Sequence, residues 1–320
     1  MILRTIAGML SPEGRKGLLS IVIFHRVLAQ RDPVVDWDLD ARDFEQRLRW
    51  LRNWFNILPL DEAVTRLAQR SLPARAAAVT FDDGYADNFA VALPILRRLG
   101  VPATFFIATG YLDGGRMWND TIIHSVRDCG KARLDLSAIG LGAHELTSID
   151  AIRRAIDSIV SGLKYRPPEQ RSEAADYVAR VAGCRLPDDL MMRSEDVRAM
   201  RRAGMLIGAH TVTHPILARV DADAARKEVL HSKQYLEGLL QERVGLFAYP
   251  NGKPTVDYRA EDVESIRALD FDAAVTTAWG VADADSDRLQ LPRFTPWDRT
   301  RLRFGVRMMR NMFDHARQGQ

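Results

Sequence analysis

Ala77-Ala-Val-Thr-Phe-Asp-Asp-Gly-Tyr85 is an apolar run that ends in two adjacent carboxylates and a glycine. A short apolar run closed by a turn residue is the pattern of a strand buried on both faces, as in a parallel sheet. In parallel α/β architectures the carboxyl ends of the strands are where sites are built. Asp82 and Asp83 therefore mark a candidate site as well as a strand end. Neighbouring side chains leave a strand in opposite directions, which positions the two acids for different tasks. Taken alone, Asp-Asp-Gly is more often a helix cap and a surface turn.

Similar runs recur on either side. Leu18–Phe24, Ala103–Ala108, Met205–Ala209, Gly245–Tyr249 and Ala273–Thr277 read as strands, with a weaker one at Ile57–Leu60. Amphipathic stretches lie between them. Phe44, Leu48, Leu51 and Phe55 fall on one helical face; Asp61 is placed to cap a helix, and Ser194 opens another with acids in its first turn. Repeated alternation of strand and helix predicts an α/β fold with a parallel sheet, and about seven strands suggest barrel-like closure. From about 121 to 190 the rhythm changes to helical patterns and loops with no convincing strand, the pattern of a helical insertion. Ile149–Val160 and Glu173–Ala182 read as its helices, with a break at Arg166-Pro-Pro168. No repeat or linker divides residues 1–320, so a single domain is expected.

Composition sets bounds on function. With 47% hydrophobic residues and a net charge of only +3, disorder is excluded as the dominant state. Arg299, Arg301, Arg303, Arg307, Arg310 and Arg317 face one acid, Asp314, so the basic excess is confined to the tail and does not suggest nucleic acid as a partner. A helix over about 299–317 would carry Leu302, Val306, Met309 and Phe313 beside an arginine stripe. That pattern suits either a helix closing the barrel or peripheral contact with anionic lipid. Cys129 and Cys184 have no metal or redox spacing and read as inert thiols. The run Gly17–Phe24 ends at His25-Arg26 rather than at a small-residue cleavage site, so a cytoplasmic location is expected, with the tail offering peripheral contact at the inner face of the membrane.

Three further segments carry chemistry. Met205-Leu-Ile-Gly-Ala-His-Thr-Val-Thr-His-Pro215 runs from a strand into His210 and His214, four apart, a spacing that suits two imidazoles on one metal. A histidine pair by itself is as often structural. With one carboxylate it would make three protein ligands and leave a position open for water or substrate. Phe247-Ala-Tyr-Pro-Asn-Gly252 is a strand and tight turn whose amides can point into the same mouth, which makes Tyr249 and Asn251 candidates for contact with substrate or oxyanion. His25, at the end of the first strand, can serve as a general acid if it faces the site. Trp118 can floor a sugar subsite or pack against the insertion, and Tyr85 is a second aromatic near the motifs.

Taken together, these segments resemble the polysaccharide deacetylases, carbohydrate esterase family four, also called the nodulation-factor deacetylase homology domain. Thr80-Phe-Asp-Asp-Gly-Tyr85 looks like the family's first motif and His210-Thr-Val-Thr-His-Pro215 like its second. The likeness runs through Gly100-Val-Pro-Ala-Thr-Phe-Phe106 to Leu291-Pro-Arg293 and covers roughly 18–117 and 190–298. It implies a distorted (β/α) barrel and one divalent metal, zinc foremost, held by Asp83, His210 and His214, with Asp82 as general base. It also implies a hydrolase removing acetyl groups from the N-acetylated sugars of a glycan or glycan precursor. The chain departs from the common pattern twice. Ala248 stands where an arginine usually steadies the catalytic aspartate, and Arg293 is the candidate replacement. No Leu-x-His occurs near the C-terminus; a branch that includes biofilm poly-N-acetylglucosamine deacetylases carries that histidine on the first strand, and His25 looks like this version. An O-acetyl esterase and a catalytically silent glycan-binding relative are the alternatives.

Overall fold

A computed structural model describes residues 2–295 and 298–318, with side chains as far as Asp314. Seven parallel strands form one sheet: β1 (Leu19–Phe24), β2 (Asn56–Ile57), β3 (Ala76–Phe81), β4 (Thr104–Ile107), β5 (Leu206–Ala209), β6 (Leu246–Ala248) and β7 (Ala273–Val275). β1 pairs along all of β3, from Leu19 opposite Ala76 to Phe24 opposite Phe81. β2 pairs with the start of β3 and β4 with its end, and the order then continues through β5 and β6 to β7. All six residues of β1 and of β3 are buried, which is why both read as unbroken apolar runs.

Irregular backbone completes the ring. Leu291 N–H donates to the Ala274 carbonyl at 2.9 Å, and Phe294 N–H donates to the Ile21 carbonyl at 2.8 Å. Residues 291–294 thus bridge β7 to β1 and close a distorted (β/α) barrel. Pro292 has no N–H to give a ladder, so this segment makes isolated bridges instead of a strand. It also carries Arg293 into the barrel interior.

Eleven helices are described: α1 (Ile2–Leu10), α2 (Ala41–Trp54), α3 (Leu60–Ala68), α4 (Leu93–Leu99), α5 (Trp118–Asp128), α6 (Ile149–Leu163), α7 (Pro168–Ala182), α8 (Ser194–Arg202), α9 (Ala222–Leu240), α10 (Ala260–Ala268) and α11 (Arg301–Gln318). The face expected to be buried on α2 is buried: Phe44, Leu48 and Leu51 lie in the core, with Asp40 capping through the Asp43 N–H. Asp61 is not the cap of α3. Pro59, two residues beyond β2, holds the cap position, and Asp61 sits in the first turn accepting the Glu62 N–H.

The insertion begins at Trp118 and has its own apolar core of Ile122, Val126, Ile156, Ile159 and Val178, joined by Val34 and Val35 from an earlier loop. Contrary to expectation it contains strands, an antiparallel hairpin of Arg133–Asp135 with Ala143–Glu145. Each arm is three residues long and mostly exposed, shorter than the apolar runs that mark a strand in sequence. Arg166-Pro-Pro168 opens α7 rather than merely interrupting it, with Pro168 in the first turn, where its missing N–H costs nothing. Both cysteines are free and half-buried in this region.

Candidate active site

Because the strands are parallel, their carboxyl ends open on one mouth, and the sequence motifs meet there. Asp82 and Asp83 follow β3, His210 follows β5, and His214 ends the loop beyond. Asp83 has φ +77° and His214 φ +53°, both in the left-handed region that side chains with a Cβ rarely adopt. Such strain persists where the surrounding structure overdetermines it, and it clusters at functional sites. Here the restraints are visible. The Thr211 hydroxyl donates to the His210 carbonyl and accepts the His214 N–H at 3.1 Å. Glu228 on α9 accepts the N–H groups of Val212 and Thr213 and the Thr213 hydroxyl, each at 2.8 Å. Gly84, at φ +90°, is pressed against Ile107, where a Cβ would lie 3.3 Å from that side chain.

Asp83 Oδ1 lies 3.4 Å from His210 Nε2 and 3.5 Å from His214 Nε2. The three ligand atoms are all within 4.8 Å of one another. His210 Nδ1 is 2.7 Å from the Ala248 carbonyl, which can only accept, so Nδ1 carries a hydrogen and Nε2 is the nitrogen turned toward Asp83. This is the orientation that metal-binding histidines adopt. Asp83 Oδ1 is buried with no hydrogen-bond partner. A buried carboxylate oxygen left without a donor beside two imidazole nitrogens is explained by a cation, so the residues fit a divalent metal.

Asp82 borders that cluster, its Oδ2 3.9 Å from His210 Nε2, but its main partner is another. Both of its oxygens accept from the Arg293 guanidinium, at 2.7 Å each, and Arg293 is itself tied to the Thr276 carbonyl and the Thr80 hydroxyl. The arginine expected to steady Asp82 therefore does so from the closing segment. Burial works to raise the Asp82 carboxyl, but the charges of Arg293 and His210 outweigh it and hold it below the usual range. For Asp83 burial is likewise outweighed by His210 and His214, and that carboxyl too is held well below the usual range. Burial drives His214 down to about 4, helped by repulsion from His210, leaving a neutral imidazole suited to a metal.

A cavity of about 660 Å³ adjoins this cluster, lined by His25, Asp83, Tyr85 and Asp38 from the barrel and its loops and by Asn119 and Asp120 from α5. His25 is exposed at the mouth, and its charge is felt by both Asp82 and Asp83. Tyr85 lines the cavity, its hydroxyl 3.2 Å from both oxygens of Asp120, with the Arg26 guanidinium over its ring. Tyr249 does not line the cleft. It is fully buried, stacked on Tyr258 at 3.9 Å, with its hydroxyl on the Leu289 carbonyl. Trp118 packs with the insertion under the Arg171 guanidinium, and its neighbours Asn119 and Asp120 face the cavity in its place. Asn251 holds the turn after β6 at φ +58°, its carbonyl accepting the Thr277 hydroxyl, and is not among the cavity-lining residues. Asp120, Asp38 and Glu228 were not anticipated as separate site residues; on helices or loops, acids give no signal that distinguishes a cavity from solvent.

The family model for polysaccharide deacetylases matches residues 69–272. A Bacillus subtilis (strain 168) protein named as a polysaccharide deacetylase, YxkH, is 22% identical over 277 residues, covering 86% of this chain and 70% of that one. Among solved structures, the Streptococcus pyogenes deacetylase PplD in complex with acetate superposes with a TM-score of 0.60 at 20% identity, over 92% of this chain and 98% of that one. IcaB from Ammonifex degensii gives 0.60 at 19% identity over the same shares. At these identities the structural likeness is one of fold.

Proposed function

We propose that this chain, which belongs to the polysaccharide deacetylase family, is a metal-dependent hydrolase that removes acetyl groups from the amide nitrogens of N-acetylated sugars in a glycan or glycan precursor. The observation that carries this reading is the division of labour between adjacent acids. Asp83 faces two imidazoles with an oxygen that has no hydrogen-bond partner, while Asp82 is clamped in its ionised form by Arg293.

In the proposed mechanism Asp83, His210 and His214 hold the cation, which supplies Lewis acidity toward a carbonyl and lowers the pKa of water. Two nitrogens and one carboxylate are a donor set that suits zinc. Asp82, kept charged and fixed in direction by Arg293, takes the proton from the attacking water. His25, exposed at the mouth, gives a proton to the departing nitrogen. That last role favours amide over ester cleavage, because an amine leaves poorly unless protonated, whereas a sugar alkoxide depends on an acid less. A cytoplasmic address belongs to the same reading, and the free thiols Cys129 and Cys184 fit a reducing compartment.

The test is acetate release from N-acetylglucosamine oligomers and from O-acetylated sugars, before and after chelation and zinc reloading. Release from the N-acetyl substrates, lost on chelation and restored by zinc, is expected. His25→Ala should slow the amide far more than the ester. Release from esters alone would make the protein an O-acetyl esterase, and none from either, a silent binder. Full metal content in a His210→Ala, His214→Ala double variant would overturn the ligand assignment.

A further inference from the structure

The terminal helices show a feature that the barrel does not require. α11 buries Phe304, Met308 and Met312 against the barrel, with Phe304 beside Trp50, Trp54 and Phe294. The stripe expected from the sequence is thus only partly a packing face: Met309 is buried, but Leu302 is 69% exposed and Val306 52%. α1 packs on α11 and repeats the pattern, burying Ala7 while Ile2 and Met9 are each 76% exposed and Ile6 is exposed beside them. The helices cross at Gly305, where a Cβ would collide with Leu3. Ile2 and Ile6 lie within one turn of Leu3 on one helix, and Leu302 and Val306 within one turn of Gly305 on the other. These two helices hold six of the twelve exposed large hydrophobic residues among those described. A helix apolar on both faces is built to be covered on both, and apolar surface gathered in one place marks an interaction site.

We propose that α1 and α11 together form a docking surface for an anionic lipid bilayer. Charge selects this occupant. The two helices carry six arginines and a single acid, Asp314, and Arg4, Arg303 and Arg310 are exposed on them. Apolar side chains interleaved with arginine are what an interfacial helix needs to seat itself among anionic headgroups. A second copy of the chain is disfavoured, because a two-fold contact would set arginine against arginine. The surface also reaches the site: α11 begins two residues after Arg299, which lines the cavity and bonds Asp36 at its rim. The proposal stands on this surface and not on the proposed chemistry.

The experiment is co-sedimentation of the full chain with phosphatidylcholine vesicles, with and without phosphatidylglycerol. Binding is expected only where phosphatidylglycerol is present and should weaken steeply as salt is raised. Arg4→Gln with Arg303→Gln should weaken it about 25-fold, roughly fivefold for each charge. Ile6→Ser with Leu302→Ser should weaken it about tenfold or more. Both variants alter exposed positions and should melt as the parent does. Equal sedimentation with both vesicle types would overturn the proposal, as would none with either. So would a dimer in sedimentation velocity that the Ile6→Ser, Leu302→Ser variant dissolves, which would assign the surface to a second copy.

Discussion

The two walls of the cavity are built on different principles. On the barrel side, polar groups stand at strand ends, held by parallel ladders and locked further by Arg293 and by the Thr211 and Glu228 contacts. On the insertion side, one face of α5 presents Asn119, Asp120, Ile123, His124 and Arg127, while the other face packs Ile122 and Val126 into the insertion's own core. The barrel side fixes individual atoms, as bond-making chemistry needs. The insertion side supplies a lined surface, which suits contact with parts of a substrate that do not react. Under the proposed function this contrast assigns catalysis to one wall and selection to the other, and substitutions on each wall can break it.

The largest effect is expected on the barrel side. Asp82→Asn keeps the shape and much of the Arg293 contact but cannot accept a proton. Turnover should fall by about 10²–10⁴, the range of acid–base contributions, with metal content unchanged. Asn119→Ala on α5 should instead raise KM and leave kcat within a few-fold, the signature of lost binding that is uniform along the reaction. Steady-state kinetics on both variants decide the matter. If Asn119→Ala lowers kcat as much as Asp82→Asn, the insertion shares the chemistry and the contrast fails.

The same contrast explains what the sequence disclosed. Strand-end residues were legible because an apolar run of the right length says where a strand stops, and polar residues just beyond it have few other reasons to be there. Asp82, Asp83, His210 and His214 meet as their positions suggested. Arg293 was legible only by resemblance, since nothing in Leu291-Pro-Arg293 reveals that the segment closes the barrel and points inward. Asp120 and His124 were opaque, because a polar helical face reads the same toward a cavity as toward solvent. Tyr249 was misplaced for the reverse reason: it follows a strand end, but its ring turns inward onto Tyr258. The hairpin at Arg133–Asp135 was missed because it has a single buried residue, Leu134, in that arm.

The second prediction concerns the charge buried in the barrel. Arg293→Met removes the guanidinium that clamps Asp82, and both groups are almost wholly buried. A buried charge stripped of its partner costs about 3–5 kcal/mol, which should appear as a large drop in the melting temperature. The sign with pH follows from the Asp82 carboxyl. In the parent it is held below its ordinary value of 3.8, so its stabilisation is present at neutral pH and fades as the carboxyl is protonated in acid. The gap between parent and variant should therefore persist down to about pH 4 and narrow only below it, as the parent carboxyl is protonated. On the insertion side, Arg127 pairs with Asp32 in partly exposed surroundings, and Arg127→Ala should cost no more than about 1 kcal/mol. A comparable loss from both variants would erase the distinction between the walls.

The smallest effect is the most specific. Asp120 stands on the insertion wall, where burial, aided by repulsion from Asp83, pushes its carboxyl up from 3.8 to about 7. A carboxyl raised in the folded state makes the fold bind a proton that the unfolded chain has already lost. Its contribution is therefore most favourable below about pH 4, and it declines as pH rises to 7. At pH 8 the charged form costs the fold at most about 4 kcal/mol. Because Asp120 borders an open cavity, a cost of about 1–2 kcal/mol is expected after solvent relaxation. Asp120→Asn removes that charge yet still accepts the Tyr85 hydroxyl, so it should melt higher than the parent at pH 8. The advantage should shrink at pH 5, where the parent carboxyl is already largely protonated. Zinc should also shrink it, because a cation beside Asp83 cancels the repulsion that helps hold Asp120 up. Thermal melts at the two pH values, each with and without zinc, separate these effects. An advantage independent of pH would mean that Asp120 is not the titrating group. An advantage independent of zinc would mean that the two walls do not sense one another's charge.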